Sequence, residues 1–248
     1  MTAEHLYGIH PVREALKAGR RTFHDVFFPS GRLHTRQRAL ADRLAVAKIP
    51  VRRCAADALD ALAGNSRHQG VVARVSPFLP WRFAQLAEAL SRGCLVRWLL
   101  LLDSIVDPQN LGALIRTAAC AGVGAVVIPR DRSARPSPSV SKASAGALEH
   151  VPVCMVTNLA ATVGELKGLG FWAAALDRRQ GRSLFESDLT GDLALLVGAE
   201  DKGIRPLVRK QCDFTVAVPQ SGVVDSLNAA AAGAVVMYEC LRQRSSSK

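Results

Sequence analysis

Short apolar runs recur through the last 150 or so residues of the chain, at positions 98–102, 125–128, 151–156, 171–176, 193–197 and 214–218. Each is separated from the next by a helix-forming stretch or a loop. Runs without polar alternation suit strands buried on both faces, so the pattern predicts a mainly parallel sheet covered by helices. Within the first interval Leu111, Leu114, Ile115 and Ala118 recur at helical spacing and define a buried stripe, and Asn110 can cap the helix. Arg116 falls about 140° from Leu111 on that helix, on the outward side. The last run, Phe214 to Val218, stops at Pro219. A Gly-containing loop, the polar turn Asp225-Ser226-Leu227-Asn228 and a helical run to Arg244 follow, with Ser226 placed to cap the helix.

The first 76 residues read differently. His10 to Gly19 predicts a short helix, with Pro11 in its first turn and Gly19 behind its end. Asp25 to Pro29 and Val71 to Val75 read as strands, and Arg36 to Ala47 as a basic amphipathic helix. Pro77-Phe-Leu-Pro80 breaks the pattern, and Trp81 to Leu90 continues as a helical connector. The divisions are therefore a small α/β domain over 1–76, a linker over 77–97 and an α/β domain over 98–248. Arg130 to Gly146, rich in Pro, Ser and Arg, interrupts the second domain and is expected to be a loop covering a strand end.

Charge sharpens this division. The net charge is +11, and residues 1–76 hold thirteen Lys/Arg against six Asp/Glu, together with five of the six histidines. Residues 98–248 hold sixteen against fourteen. A polyanion-binding module joined to a nearly neutral partner accounts for that asymmetry. Without interleaved aromatic residues, its contacts are expected to be to backbone or shape rather than to stacked bases. No apolar run approaches the ~18–20 residues of a membrane-spanning helix, and no basic-then-apolar leader opens the chain, so a cytoplasmic protein with no membrane association is expected. The six cysteines are scattered without a Cys-x-x-Cys pair, which suggests reduced, mostly buried thiols rather than a zinc site.

No dinucleotide-binding glycine fingerprint, P-loop, metal-spaced His/Cys cluster or nucleophile elbow is present. Three strand-end stretches do stand out: Asn110-Leu-Gly-Ala-Leu-Ile-Arg116, Val197-Gly-Ala-Glu-Asp-Lys-Gly203 and Val218-Pro219 with Ser226-Leu-Asn228. In this order they resemble the three motifs of the SpoU/TrmH family of RNA ribose 2′-O-methyltransferases. Tyr7-Gly-Ile-His-Pro-Val-Arg-Glu-Ala-Leu16 and His68-Gln-Gly-Val-Val-Ala-Arg-Val75 resemble a subgroup acting on 23S rRNA guanosines. Ala229 to Ala232 departs from relatives that often carry a larger residue and a serine there, a change expected to alter packing more than chemistry.

The resemblance implies a C-terminal parallel-sheet methyltransferase domain tied in a deep trefoil knot, a small N-terminal α/β RNA-binding domain, and a homodimer whose sites are completed across the interface. It implies S-adenosylmethionine as cofactor, touched by Gly198, Val218 and Leu227 with Ile204 and Pro219 beside them, and no metal. Arg116 becomes the key catalytic residue, Asn110 and Glu200 position it or the ribose, and Ser226 and Asn228 shape the loop near both substrates. A general-base role for Arg116 conflicts with a guanidinium pKa above ~12. Either a crowded, desolvated Arg116 is transiently neutral, or a charged Arg116 holds an RNA phosphate while another group takes the proton. RNA contacts are expected from Arg13, Arg36, Arg67 and His68, and from Arg132, Arg135 and Lys142 in the Pro/Ser-rich stretch. A tRNA-directed methyltransferase and a catalytically silent ribosome-assembly factor are the alternatives.

Overall fold

A computed structural model describes residues 3–177, 181–223 and 226–246, so Asp225 of the polar turn lies outside them. The chain runs β1 (Glu4–Tyr7), α1 (Ile9–Ala18), β2 (Phe23–Pro29), α2 (Thr35–Val46), β3 (Val51–Cys54), α3 (Ala56–Ala63) and β4 (Val72–Val75). It continues through α4 (Phe83–Ser91), β5 (Trp98–Asp103), α5 (Pro108–Ala121), β6 (Ala125–Pro129), α6 (Pro138–Ala143), β7 (Val153–Val156) and α7 (Leu159–Gly168). It ends with β8 (Trp172–Leu176), β9 (Arg182–Ser183), β10 (Leu193–Gly198), α8 (Pro206–Arg209), β11 (Phe214–Ala217) and α9 (Ala229–Ser246). These elements gather into two compact units, residues 1–79 with 136–150, and residues 80–135 with 151–248.

The first unit is a mixed four-stranded sheet in the order β1-β4-β2-β3, in which only β2 and β3 run parallel. Ile9, Val12 and Ala15 of α1 and Leu40 and Leu44 of α2 bury against Leu6, Val26, Phe28 and Val71. The hydrophobic pattern did not reveal β1, β3 and α3, which are short; β1 and α3 each bury one residue, Leu6 and Leu59, and β3 buries none. The Pro/Ser-rich stretch is irregular over residues 130–137, as its composition suggests, but not beyond them. Ser137 caps α6 and Pro138 opens it, and residues 136–150 pack as part of the first unit.

What orders that segment is a buried ionic network. Glu149, 1 % exposed, accepts hydrogen bonds from Arg21 Nε at 2.8 Å and Nη2 at 3.1 Å, and from Ser141 Oγ at 2.8 Å. Arg21 Nη1 also donates to Glu4 Oε2 at 2.8 Å and to the Ser76 carbonyl at 2.9 Å. A carboxylate taken out of water is tolerated only when its lone pairs are met in this way.

The second unit carries the six strands anticipated from the apolar runs, plus the two-residue β9. Its sheet runs β7-β6-β5-β10-β8-β11-β9 with every pairing parallel. Alternate residues point to opposite faces. Leu99, Leu101, Val127, Ala173 and Leu196 meet α4, α7 and α8 in one core cluster, while Leu100, Leu102, Leu195 and Val197 are equally buried on the other face. There α5 lies against α9. A Cβ at Gly233 would sit 2.5 Å from Leu114 Cδ2, so the glycine is what admits the leucine between these helices.

Two expectations need correction. Only Cys154 and Cys240 are buried, and Cys94 and Cys120 are exposed, the first in the loop after α4 and the second on the outer side of α5; all six thiols are free. Burial pushes the Cys154 and Cys240 thiols up to about 12. Ser226 does not cap the last helix; Asn228 does, its Oδ1 accepting the Ala230 N–H at 2.9 Å. Among the described residues no helix is long and apolar enough to cross a membrane.

Candidate active site

In a parallel sheet the C-terminal strand ends all open on one side, where their loops can converge. Here β5 ends in Asp103 directly beside Gly198, the end of β10. Asp103 is fully buried, and three donors of one residue meet its carboxylate. The Arg205 backbone N–H reaches Oδ2, and Arg205 Nε and Nη2 reach Oδ1, each at 2.8 Å. The loop leaving β10 is thereby drawn back over the strand end.

Within that loop the Gly203 N–H donates to the Ala199 carbonyl at 2.8 Å, closing a tight turn, and Gly203 takes φ +63°. The turn lies so close to Gly198 that a Cβ there would be 2.2 Å from the Gly203 carbonyl carbon and 2.4 Å from the Ile204 nitrogen. Those neighbours are backbone and have no way to swing aside, so position 198 must be glycine.

This arrangement borders a cavity of about 220 Å³, walled by Gly198, Ile204, Val218 and Leu227 with Glu200 and Ser226 among its polar groups. Four of the five residues expected to hold the cofactor are therefore on the wall. Pro219 is not, whereas Gln220 just beyond it is. The site fits a mixed polar and apolar ligand, since aliphatic and polar residues share its wall.

At one edge, three remote motif residues meet. Asn228 Nδ2 donates to Asn110 Oδ1 and to Glu200 Oε2, both at 3.1 Å. Asn110 is available for this because Asp107, rather than Asn110 as its helix-start position suggested, caps α5 by accepting from the Gln109 and Asn110 amides. Arg116, six residues further along α5, is exposed, and its guanidinium forms no hydrogen bond among the described residues. The structure thus assembles Asn110, Glu200 and Asn228, and leaves Arg116 outside that cluster.

Of the residues expected to touch RNA, Arg13 and Arg36 line one cavity in the first unit. Lys142, also in that unit, has its ammonium against Gly8. Arg67, Arg132 and Arg135 are exposed. His68 is turned inward: Nε2 is 2.9 Å from Asp60 Oδ1 and Nδ1 accepts the Gly70 N–H at 2.9 Å, so both ring nitrogens serve the turn before β4. Sequence reading missed Asp103 and Arg205. A carboxylate ending an otherwise apolar strand was the available signal, but its partner lies 102 positions away.

An all-parallel α/β unit with a glycine-cradled pocket at its strand ends, joined to a basic mixed-sheet unit, defines the general class: a two-unit α/β protein with a small-molecule site at the C-terminal ends of its parallel strands. Comparison with known proteins narrows this. The SpoU rRNA Methylase family model matches residues 97–238, and a model for RNA 2′-O ribose methyltransferase substrate binding matches residues 5–81. The chain belongs to the SpoU rRNA Methylase family.

Its sequence is 41% identical to the 23S rRNA (guanosine-2′-O-)-methyltransferase RlmB of Pseudomonas aeruginosa, with 97% of each chain covered. It is 37% identical to RlmB of Escherichia coli, over 98% of this chain and all of the relative. Among solved structures, the SpoU methyltransferase AviRb of Streptomyces viridochromogenes, in complex with the cofactor AdoMet, is similar with a TM-score of 0.81 and 26% identity, over 99% of this chain and 91% of that one.

Proposed function

We propose that this protein transfers a methyl group from S-adenosylmethionine to a ribose 2′-hydroxyl of RNA, at a guanosine of 23S rRNA. The observation that carries this reading is the pocket at the ends of β8, β10 and β11. Gly198 clears a backbone cradle there, and Asn110, Glu200 and Asn228 converge on its edge. Relatives so named match nearly the full chain, including the basic first unit.

The residues fit the cofactor. Gly198, Ile204, Val218 and Leu227 would hold it, and when bound it supplies an electrophilic methyl group. The chain's own work is positional. Asn228, fixed by Asn110 and Glu200, holds the polar edge where the ribose must arrive, and such placement can supply several kcal/mol of a methyl-transfer barrier. Arg116, exposed and outside this cluster, suits a charged guanidinium that meets an RNA phosphate or a site on a second subunit. We read the protein as a homodimer with sites completed across its interface, and its C-terminal unit as knotted like its family. We place it in the cytoplasm, with 1–76, 77–97 and 98–248 as its substrate-binding domain, linker and methyltransferase domain.

The test is transfer of tritiated methyl groups from S-adenosylmethionine to rRNA and tRNA, followed by mapping of 2′-O-methyl positions. A 2′-O-methylguanosine in 23S rRNA is expected. Transfer to tRNA alone would replace the substrate, and no transfer to any RNA would favour an assembly factor.

A further inference from the structure

The first unit contains a second built cavity, of about 300 Å³, between α1 and α2. Its walls are His10 and Arg13 from α1 and Arg36 and Arg43 from α2, over a floor of Ile9 and Leu40. The helices aim these groups by spacing. Arg36, Leu40 and Arg43 stand at i, i+4 and i+7 on α2, and Ile9, His10 and Arg13 share the facing side of α1. Among the described residues no carboxylate lines the cavity.

The four groups are unequally committed. Arg13 Nε is paired with Glu14 at 2.8 Å, while its Nη2 lies 3.1 Å from His10 Nδ1. A guanidinium can only donate, so His10 Nδ1 is an acceptor and the ring is neutral. Burial first, then the charges of Arg13, Arg36 and Lys142 keep His10 below its ordinary range, with Glu14 opposing them. Arg36 and Arg43, both exposed, form no ion pair with any described residue. Two uncompensated guanidiniums and a third shared one thus converge on a space with an apolar floor.

We propose that this cavity is a phosphate-binding site, and that its occupant is a backbone phosphodiester of the RNA substrate. Arginine forks suit phosphate oxygens, and Arg36 and Arg43 have donors free to meet them. A bound phosphate would accept from Arg36 and Arg43 without displacing Glu14 from Arg13. The site rests on the RNA-methyltransferase reading for its source of phosphate, since the same chemistry would accept a free phosphate or nucleotide.

Binding of a fluorescein-labelled fragment of 23S rRNA to the full-length protein, measured by anisotropy across a salt series, tests it. Arg36→Gln with Arg43→Gln should weaken binding about tenfold and lower the slope of log affinity against log salt by about one for each phosphate left without its arginine. Arg38→Gln with Lys48→Gln removes the same charge from elsewhere on the unit and should change the affinity much less. Equal effects from the two pairs, or none from the first, would overturn the site. Titration with inorganic phosphate, followed by the His10 ring resonances, distinguishes the sources. A His10 response to phosphate with an unaltered RNA salt slope in the Arg36/Arg43 variant would overturn the RNA assignment. Methyl transfer assayed in parallel keeps the readings apart: a wild-type protein inactive on rRNA but showing the slope difference retains this site and loses the proposed reaction.

Discussion

Around Gly198 the second unit presses backbone against backbone, drawn into place by a carboxylate that solvent does not reach; around Arg36 the first unit offers guanidiniums on two helices. At Gly198 no neighbour can rotate aside, and an added methyl group is already too large. The second keeps long side chains whose heads can search for a partner. A small ligand held through backbone groups needs fixed geometry, because hydrogen bonds lose their strength within a few tenths of an ångström and a few tens of degrees. A polyanion is attracted over a Debye length of about 8–10 Å, so charge can be supplied by mobile arginines. The contrast predicts that the second unit is sensitive to single atoms, and that the first tolerates changes outside its buried network.

The largest effect should come from Gly198→Ala, whose methyl group has only backbone to meet. Calorimetric binding of S-adenosylmethionine should fall more than a hundredfold, a loss of about 3 kcal/mol or more. Retention of wild-type affinity would mean that this turn moves freely and would erase the contrast. Next, Arg21→Ala strands Glu149 in the interior with Ser141 as its remaining donor from that network. It should cost about 3–5 kcal/mol, read by denaturant unfolding. Deleting residues 1–76 would do the same damage on a larger scale, stripping the packing face of 136–150 and the Glu149 carboxylate of their partners.

Asp103→Asn keeps the shape but removes the charge facing Arg205, and should cost about 2 kcal/mol of stability. If the pair positions the cofactor loop, affinity for S-adenosylmethionine should fall as well, and unchanged affinity would reduce Asp103 to a stabilising role. Asn228→Ala should lower the methyl-transfer rate about tenfold or more with cofactor affinity nearly intact, while losing a helix cap worth about 1 kcal/mol. A rise in KM for the cofactor at unchanged kcat would move Asn228 to the binding wall instead.

The smallest effect concerns pH. Burial alone would raise the pKa of Glu14, but hydrogen bonds from Arg13, His150 and Lys17 outweigh it and hold it at about 2. A carboxylate depressed on folding contributes stability above its unfolded value, and that contribution disappears as pH falls through the folded value. The difference in Tm between the wild type and Glu14→Gln should therefore be present near neutrality and shrink as pH drops from about 4.5 towards 2. A gap that persists to the acid end would show that Glu14 acts through packing and not charge.

Legibility in the sequence followed the range of the interactions. The strands β5, β6, β7, β8, β10 and β11 were visible because a strand buried on both faces must be apolar throughout. The Leu111–Ala118 stripe was visible because helix periodicity is local. Caps were misassigned at both polar helix starts, where Ser226 and Asn228, or Asp107 and Asn110, are equally suitable residue types and only backbone geometry chooses. The stretch at 130–146 looked like a loop because Pro, Ser and Arg favour one, and tertiary pairing of Glu149 with Arg21 overrode composition.

By itself the sequence determined the class of both units, the parallel sheet, the concentration of positive charge at one end and the three motifs that identify the family. All of these depend on residue type and short-range order. Only the tertiary structure decided that Gly198 is pressed against backbone, that Asp103 holds Arg205, that Asn228 joins Asn110 to Glu200, and that Arg36 and Arg43 share a cavity with His10. Each of those facts is a distance between atoms far apart in the chain, and no local preference encodes a distance that the folded core alone imposes.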